Sequence, residues 1–409
     1  MIIRSEILNV IGKMGKRNTQ KAKKNMKENV DDSASNKEFK ILIRRIVQKT
    51  KIAEGELAIY DILRCIYRNQ PISTKKIGQY TKLPLPIVSK VRTMLEGDKV
   101  LKRDDRGAIY TKEGLTFVEK NLGLSLKNDL KCPLCKGKTI VFDEKFEKIY
   151  KRHKEIAKQR PAVNTLIDQS FATPETATYR ATIMADRGDL EGKRVLFVGD
   201  DDLTSIPVAM SGLCKEVVVA DIDERLLDMI KYFSKQNKLH IKTVKQDFRN
   251  SLPKNLTDKF DVVFTDPPYT LEGVKLFMNR GIEALGSEGV LYLAVSHKPI
   301  DEHIQLQKNI LSMNFLIAEM LPGFNFYEGT EIIGNTTFLA RLVGKNLVKL
   351  EEKSDKIYTG QVKPVLRYYK CQKCGKIYEV GGKIKRIEDL SCDCKGNKFY
   401  MIKRSKLRD

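Results

Sequence analysis

The sequence predicts an α/β protein whose largest domain is a doubly wound, Rossmann-like sheet, and three observations support this prediction. At 409 residues the chain is too long for one ordinary core, so two or three domains are expected. Between residues 170 and 345, continuous apolar strand patterns alternate with amphipathic helical patterns, which is typical of a parallel sheet covered on both faces. Aspartate-rich turns follow four of those strands, and such sheets bind their ligands at the carboxyl ends of the strands.

The charge of the chain is unevenly distributed. Lys and Arg number 75 and Asp and Glu number 52, so the net charge is +23, and a polyanion such as nucleic acid is the first partner to consider. Residues 1–50 contribute +8, residues 51–200 contribute +9 and residues 351–409 contribute +8, whereas residues 201–350 contribute −2. The positive charge therefore lies in the flanks, and the central block is slightly acidic. The 41% of apolar residues excludes a wholly disordered chain.

The N-terminal segment predicts a basic, poorly ordered arm over residues 1–51. It is rich in Lys, Asn, Gln and Ser and lacks the apolar core and the small-residue cleavage site of a secretory signal. No run of about 18 apolar residues occurs in the sequence, so no membrane partner is expected. Six of the eight cysteines fall in CxxC or CxC pairs, which suit metal or redox chemistry better than a secreted disulfide framework. We therefore expect a soluble, cytoplasmic protein.

Residues 52–125 predict a winged-helix domain. Three helical patterns, beginning with ELAIYDILRCIYRN, precede two short strand-like runs around an Asp-Asp-Arg-Gly turn. This order of elements is typical of a winged helix, whose third helix often enters a DNA groove, and Lys90, Arg92 and Lys99 would be available there. Winged helices also serve as dimerisation modules, so both roles stay open.

A connecting segment over residues 126–169 contains Cys132-x-x-Cys135 and a helical pattern around FEKIYKRHKEIAKQRP. With no second pair nearby, these cysteines are a weaker metal candidate: half of a shared site, a site in a dimer or a metal-free turn. Next, Thr173 before Pro174 signals a helix start, because a threonine hydroxyl can cap free N–H groups and proline is tolerated at the first helical position.

Aspartates crowd the strand ends where a ligand should bind. Seven of them follow four apolar strand patterns, namely Asp200, Asp201, Asp202, Asp221, Asp223, Asp247 and Asp266. Like charges at close range raise one another's pKa values and oppose ionisation, so such a crevice is unfavourable unless cations occupy it. The sequence therefore predicts a cationic ligand.

The first of these turns differs from a dinucleotide-binding loop. Gly199 is followed by three aspartates, which would repel a pyrophosphate, so a nicotinamide cofactor is not expected. Asp221 lies about 20 residues further on, at the end of the second strand, where an acid can accept a hydrogen bond from a ribose hydroxyl. Asp223 can contact the ligand as well, or it can stabilise the positive end of the helix that follows.

The turn after the fourth strand reads Asp266-Pro267-Pro268-Tyr269. Together with the ribose-binding acid, it resembles the S-adenosylmethionine-dependent amino-methyltransferase class, in which this turn presents a carboxylate and carbonyl groups to the nitrogen that is alkylated. The resemblance implies a class I methyltransferase-like fold and alkyl transfer to nitrogen. It does not select the nitrogen.

A second set of motifs is more specific. The chain carries VLFVGDDDLTSIPVAMSGL, VVVADIDERL and FTDPPYT, preceded by DQSFATPETATYRATIMADRGDLEGK and by the predicted winged helix. Over about residues 50–345, this combination resembles the branched-chain polyamine synthase family, the N4-bis(aminopropyl)spermidine synthases. The resemblance implies aminopropyl transfer from decarboxylated S-adenosylmethionine to the secondary N4 amine of spermidine, giving N4-aminopropylspermidine, then N4-bis(aminopropyl)spermidine, with release of 5′-methylthioadenosine. It also implies a thermophilic source and linear polyamines as acceptors.

The resemblance also implies roles for the acids of the crevice. Asp201, the middle acid of its turn, is the expected catalytic base that helps the acceptor nitrogen to attack in its unprotonated form. Asp266 and Tyr269 are expected to bind that nitrogen, and the ring can stabilise the growing positive charge. Asp221 should hold the ribose and Asp247 the adenine amino group.

The remaining candidates have supporting roles. Asp200 and Asp202 would orient the chain or neighbouring groups in catalysis. Glu175, at the predicted helix start, can pair with a terminal ammonium of the substrate or act only on the helix dipole. Further contacts to the donor or the substrate are expected at Gly199, Pro267 and Pro268.

Residues 346–409 predict a small zinc-ribbon-like tail. Cys371-x-x-Cys374 and Cys392-x-Cys394 supply four thiolates on either side of a hairpin-like stretch of 17 residues. This spacing suits a tetrahedral, structural zinc ion.

The charged flanks keep two other interpretations open. An S-adenosylmethionine-dependent amino-methyltransferase acting on adenine in DNA or RNA would explain the flanks better and the aspartate triplet worse, because a polyanion would have to approach an acidic turn. A non-catalytic nucleic-acid-binding regulator would bind in a salt-sensitive way and release no methylthioadenosine. A homodimer and a nucleic-acid contact through the flanks also stay open.

Overall fold

The chain divides into two compact units, Met1–Thr81 with Leu85–Asp129 and Lys82–Pro84 with Leu130–Asp409. No helix among the described residues combines the length and the apolar character needed to cross a membrane. The computed structural model describes residues 35–126, 132, 134–135, 137–164, 167–328, 336–352, 357–358, 365–380, 390–396 and 399–406.

The N-terminal unit contains the predicted order of three helices and a hairpin, with one additional helix before it and one after it. Its elements are α1 (35–50), α2 (Glu56–Asn69), α3 (Thr74–Thr81), α4 (Leu85–Gly97), β1 (Leu101–Asp104), β2 (Gly107–Tyr110) and α5 (Lys112–Leu122). Strands β1 and β2 pair antiparallel around the Asp-Asp-Arg-Gly turn, as predicted. The winged-helix interpretation of this unit stays a prediction.

Helix α1 corrects the expectation of a poorly ordered arm over residues 1–51. Phe39, Ile43 and Ile46 are buried along it, at 4%, 0% and 0% exposure. Their spacing of four and three residues places them on one helical face, a signal that the many charged neighbours obscured. The expectation for residues 1–34 falls outside the described residues.

One of the basic residues expected to be available for DNA is not available. Arg92 is 8% exposed, and its Nε lies 3.1 Å from Glu96 Oε1 on the same helix. Lys90 and Lys99 are exposed, as expected.

The second unit contains a seven-stranded, mostly parallel sheet. Its strand order is β5-β4-β3-β6-β7-β9-β8, in which β5 to β7 run parallel and β9 and β8 form an antiparallel edge. The strands are β3 (Arg194–Val198), β4 (Glu216–Asp221), β5 (Ile241–Lys245), β6 (Val262–Thr265), β7 (Glu288–Ser296), β8 (Phe315–Phe326) and β9 (Thr336–Lys345). The methyltransferase-like α/β fold is therefore confirmed, and the antiparallel edge is an addition to the five predicted strands.

Helices cover both faces of this sheet. The central parallel strands are mostly apolar because their alternate side chains enter two separate cores. Val195 and Phe197 of β3 enter one core, and Leu196 and Val198 enter the other. The helices are α6 (Glu144–Ala157), α7 (Pro174–Asp186), α8 (Ser205–Met210), α9 (Glu224–Gln236), α10 (Leu271–Leu285) and α11 (Ile300–Ser312). Helix α7 begins as predicted, since Thr173 Oγ1 accepts a hydrogen bond from Thr176 N at 3.1 Å.

The tail contains a second, three-stranded sheet. Its antiparallel order is β11-β10-β12, formed by β10 (Val365–Cys371), β11 (Ile377–Val380) and β12 (Phe399–Lys406). Between β9 and this sheet, the chain returns along α10, where Arg280 Nη2 pairs with Glu352 Oε2 at 2.9 Å and Ile357 is 4% exposed.

Candidate active site

A cleft opens at the carboxyl ends of β3 to β6, where the sequence predicts the ligand. It encloses about 650 Å³ of open space, including solvent at its mouth, which is in the usual range for small-molecule sites. Eight of the predicted residues line it: Gly199, Asp201, Asp221, Asp247, Asp266, Pro267, Pro268 and Tyr269.

Asp201 is the one acid of the aspartate triplet that faces the cleft among the described residues. Its Oδ2 accepts a hydrogen bond from Ser170 N at 3.3 Å, and no cationic group in the described part of the chain forms an ion pair with it. Burial, followed by the negative charges of Asp202 and Asp266, holds its pKa well above the usual value. A carboxylate in this setting has an increased tendency to accept a proton.

Asp200 and Asp202 turn away from the cleft. Asp200 accepts hydrogen bonds from the backbone N–H groups of Thr204 at 2.7 Å and Ser205 at 3.2 Å, and burial raises its pKa to about 8. Asp202 is 2% exposed and accepts from Ala172 N. Both carboxylates thus hold the backbone of the site, and their expected role in catalysis stays a prediction.

Asp266 lies at the centre of a hydrogen-bonded network in the turn after β6. Its Oδ2 accepts from Tyr327 Oη at 2.5 Å, and its Oδ1 accepts from Tyr269 Oη at 3.1 Å. Burial raises the pKa of Asp266 to about 7, although the nearby Arg180 guanidinium opposes this rise. Lys298 Nζ donates to Tyr269 O at 2.6 Å and so holds the turn from the loop that follows the neighbouring strand, β7.

The part of the cleft at the ends of β4 and β5 carries two further acids. Asp221 accepts hydrogen bonds from Asp200 N at 3.0 Å and Asp223 N at 2.8 Å, and burial raises its pKa. One lone pair on each of its oxygens still suits a hydroxyl donor. Asp247 pairs with Arg249 at 2.5 Å, and that hydrogen bond lowers its pKa.

Two further predicted residues, besides Asp200 and Asp202, do not line the cleft. Asp223 caps helix α9, where its Oδ1 accepts from Arg225 N at 3.1 Å and its Oδ2 accepts from Gln169 Nε2 at 3.1 Å. Burial opposes the change, but the hydrogen bonds from Arg225 and Gln169 lower the pKa of Asp223. Glu175 lies in the first turn of α7, where a carboxylate suits the helix dipole.

The sequence interpretation missed the wall of the cleft and its buried cation. Asp168, Gln169 and Ser170 form part of the wall just before α7, and Tyr358 reaches the cleft from the segment after β9. Arg180 is fully buried in α7 beneath the acids. A charged residue in the middle of TATYRATIM, among small and apolar neighbours, was the available signal, because buried arginines require partners.

The four tail cysteines come together at the end of β10. Their Sγ atoms all lie within 4.8 Å of one another, with Cys374 3.3 Å from Cys392 and Cys371 3.6 Å from Cys394. Four thiolates around a zinc ion at about 2.3 Å would be about 3.8 Å apart, so the cluster fits zinc. A Cβ at Gly396 would lie 2.9 Å from Cys371 Sγ, which shows how closely the backbone wraps the sulfurs.

Cys132 and Cys135 are not part of such a cluster. Cys132 is exposed and Cys135 is half-buried. No third histidine, cysteine or carboxylate in the described residues joins them within ligand distance of a common ion. A metal at this pair therefore stays an untested prediction.

Comparison with known proteins decides the family. The model of the branched-chain polyamine synthase A C-terminal domain matches residues 148–398. The chain belongs to the branched-chain polyamine synthase family. Because the match extends to residue 398, it includes the cysteine cluster as well as the sheet domain.

Relatives of this synthase-family protein differ in how much of the chain they share. An uncharacterized protein of Methanocaldococcus jannaschii is 56% identical over 402 residues, covering 98% of this chain and all of its own. The N(4)-bis(aminopropyl)spermidine synthase of the same organism is 34% identical over 295 residues, covering 70% of this chain and 83% of its own. The crystal structure of the Thermus thermophilus synthase C9 mutein, in complex with N4-aminopropylspermidine and 5′-methylthioadenosine, has a TM-score of 0.63 at 24% identity, covering 79% of this chain and 96% of its own.

Proposed function

We propose that this protein transfers aminopropyl groups from decarboxylated S-adenosylmethionine to the N4 amine of spermidine, giving N4-aminopropylspermidine and then the N4-bis(aminopropyl) product. The main support is the position of Asp201, which faces the cleft beside Asp266 and Tyr269 without an ion-pair partner among the described residues. Relatives at 34% identity carry the name of this activity. The protein is thus an aminopropyltransferase with polyamine substrates.

The charges of the cleft suit both substrates. Asp168, Asp201, Asp221, Asp247 and Asp266 all line it. Spermidine carries up to three positive charges, and the donor carries a sulfonium and an ammonium, so the substrates offset the mutual repulsion of these acids. The donor lacks the carboxylate of S-adenosylmethionine, which an aspartate-rich turn would repel.

The transfer is an in-line displacement in which the acceptor nitrogen must first lose its proton. Asp201 takes the proton of the N4 ammonium, and the freed lone pair attacks the aminopropyl carbon next to sulfur. The carbon–sulfur bond breaks, its electron pair stays on sulfur, and neutral 5′-methylthioadenosine leaves. Asp266 and the ring of Tyr269 hold the nitrogen as it becomes positively charged.

The other acids of the cleft hold the donor. Asp221 accepts from the ribose hydroxyls and Asp247 from the adenine amino group, while Gly199 allows close approach at φ 77°. Pro267 and Pro268 close the wall of the cleft beside the reacting centre. Each of these assignments is part of the proposal.

The test is to incubate the protein with decarboxylated S-adenosylmethionine and spermidine and to read the masses of the products. Products heavier than spermidine by one and two aminopropyl groups are expected, with one methylthioadenosine released for each aminopropyl group transferred. A parallel incubation with S-adenosylmethionine provides the matched control. Methylated product from the control, with no aminopropyl product from the first incubation, would replace this function by methyl transfer.

We also propose that the tail binds one structural zinc ion through Cys371, Cys374, Cys392 and Cys394, as in a zinc ribbon. Four thiolates complete the coordination of zinc and leave no open position for a substrate. The ion would therefore stabilise the three-stranded sheet and leave the chemistry to the cleft. For the N-terminal unit we propose a winged helix, on the order of its three helices and hairpin.

A further inference from the structure

Arg180 lies under the cleft with every one of its N–H donors engaged. Nε donates to Asn325 Oδ1 at 2.9 Å, Nη1 donates to Asp202 and Thr204, and Nη2 donates to Asp266 and Tyr327. A guanidinium has five N–H donors in a fixed fork, and here five acceptors meet them. The group can therefore rotate only if several hydrogen bonds break together.

The two carboxylates that Arg180 holds come from different strand ends. Nη1 lies 2.5 Å from Asp202 in the turn after β3, and Nη2 lies 2.6 Å from Asp266 in the turn after β6. The side-chain exposures are 0% for Arg180, 3% for Asp202 and 9% for Asp266. One buried cation thus ties together the two turns that carry the proposed base and the proposed nitrogen-binding acid.

We propose that Arg180 is a positioning residue that gives the acids of the site different roles. It pairs with Asp202 and Asp266, and it thereby fixes Asp266 beside Tyr269 and leaves Asp201 as the acid that takes the proton. This inference rests on the proposed aminopropyl transfer. Arg180 does not line the cleft, so it acts through the carboxylates and not on the substrate.

The alternative is that Arg180 only fills space in the core. Two observations favour a positioning role. Each of its carboxylate partners is adjacent in sequence to a residue that lines the cleft, since Asp201 precedes Asp202 and Pro267 follows Asp266. In addition, Tyr327 donates to the same Asp266 oxygen that Arg180 holds, so the direction of that carboxylate is fixed twice.

Other charged and titratable groups also face this network. They are Arg160 and His153 from the α6 side, Asp200 and Asp201 after β3, Asp221 after β4 and Tyr269. A change at Arg180 must therefore be judged against variants that keep its charge.

Two substitutions separate charge from geometry. Arg180→Lys keeps a cation but cannot hold two carboxylates in one plane, so kcat should fall about 100-fold while the acid limb of the pH–rate profile stays in place. Arg180→Gln also removes the charge, so the acid limb should move up by about one to three pH units. Arg187→Gln, on the half-buried arginine just after α7 that pairs with Glu319, is the matched control and should change neither.

Methylthioadenosine binding and a conservative variant distinguish a positioning role of Arg180 from a merely structural one. The dissociation constant of 5′-methylthioadenosine should change by less than about threefold in every variant, because Arg180 lies outside the cleft. Tyr327→Phe keeps the ring and removes one hydroxyl, so it should fold even where Arg180 variants do not. It should lower kcat by at least about tenfold, because it removes the hydrogen bond that Tyr327 donates to Asp266 and the one that it accepts from Arg180. Wild-type kcat and pH profiles in Arg180→Lys and Tyr327→Phe would overturn the proposal, as would loss of methylthioadenosine binding along with activity.

A thermal measurement separates this proposal from the proposed function. A raised carboxyl pKa lowers stability as pH rises toward it, and Arg180→Gln removes the charge that restrains the pKa of Asp266. The loss of Tm in this variant should therefore be larger at pH 8 than at pH 5, where Asp266 is protonated in both proteins. A loss of Tm that does not vary with pH would overturn the pairing of charges. Wild-type protein that forms no aminopropyl product would overturn the function alone.

Discussion

Asp201 and Asp202 are neighbours in sequence but lie in different environments. Asp202 is 2% exposed and pairs with Arg180, whereas Asp201 faces the cleft without a cationic partner among the described residues. Burial, followed by the negative charges of Asp202 and Asp266, holds the pKa of Asp201 high and would favour its gain of a proton from a polyamine. At the scale of the single residue, the environment rather than the residue type distinguishes the proposed base.

Asp201→Asn should abolish turnover, with a loss of at least about 100-fold in kcat, because an amide cannot accept the proton of the N4 ammonium. Methylthioadenosine affinity and Tm should stay near the wild-type values, since the substitution keeps the shape of the side chain. Product mass spectrometry, calorimetric binding and thermal unfolding provide the three measurements. Asp228→Asn, on the exposed face of α9, is the matched control. Near-normal turnover of the Asp201 variant would show that the base lies elsewhere.

The pH dependence of the reaction should include the titration of Asp266 besides that of the proposed base, Asp201, whose pKa is also raised. Burial raises its pKa to about 7, so the carboxyl is protonated and neutral at lower pH and cannot hold the nitrogen as it gains positive charge. The rate should therefore fall as pH decreases through about 7, and kcat measured from pH 5.5 to 9 tests this. A rate that is flat between pH 5.5 and 7.5 would contradict the role of Asp266.

Sequence patterns located the cleft acids but not their partners. Asp201, Asp221, Asp247 and Asp266 follow apolar strands, and parallel strands bring their carboxyl ends to one edge, so the grouping could be predicted. Arg180 reaches the same network from α7, a helix that precedes β3, the first strand of the seven-stranded sheet. No local spacing connects it to the acids, because only the tertiary fold places them together.

At the scale of elements, the tail sheet depends on its cysteines for cohesion. The described hydrophobic cluster of the tail is small and consists of three buried residues, Tyr369, Val380 and Leu390. A sheet with so little apolar core usually needs a further cross-link. Four thiolates around one ion would supply it.

Cys374→Ser should remove bound zinc and lower the thermal stability of the tail, because a hydroxyl is a poor zinc ligand. Metal analysis should give one zinc ion per chain for the wild type and well below one for the variant. Cys214→Ser, whose sulfur lies outside the cluster, serves as control and should keep its zinc. Equal zinc content in the wild type and the Cys374 variant would exclude the proposed site.

At the scale of the whole molecule, the net charge of +23 does not describe the cleft. Five aspartates line the cleft, and in the described residues its lining includes no lysine or arginine. The chain is thus basic overall and acidic at the proposed substrate site. The net positive charge of the protein repels a polycation, whereas the local field of the acidic cleft attracts it.

Salt should therefore weaken the binding of spermidine but not that of the leaving product. Raising the ionic strength from about 0.05 to 0.5 M shortens the Debye length about threefold, so KM for spermidine should rise severalfold. The dissociation constant of neutral methylthioadenosine should change little over the same range. Equal salt dependence of the two ligands would contradict charge-based recognition of the acceptor.

The fold class could be predicted from the alternation of apolar strands and helices. The irregular parts of the fold could not be predicted in this way. The antiparallel edge of β8 and β9 carries mixed polar and apolar side chains, since β8 has one neighbour and lies partly exposed. The pattern of apolar residues along this edge is therefore less regular than the pattern along the buried parallel strands. Helix α1 was obscured in the same way, because one apolar stripe lies among many charges.

The described residues that follow β9, 346–352 and 357–358, determine where this protein can be truncated. Leu350 N and O pair with the Asn279 side chain at 3.0 and 2.7 Å, and Thr270 Oγ1 donates to Ile357 O at 2.5 Å. A fragment ending at residue 345, the last residue of β9, would strip α10 of these partners and expose apolar surface at the back of the cleft. The shortest soluble catalytic fragment should therefore extend at least to residue 358, and a crystallisation or labelling study should choose its C-terminus beyond that point.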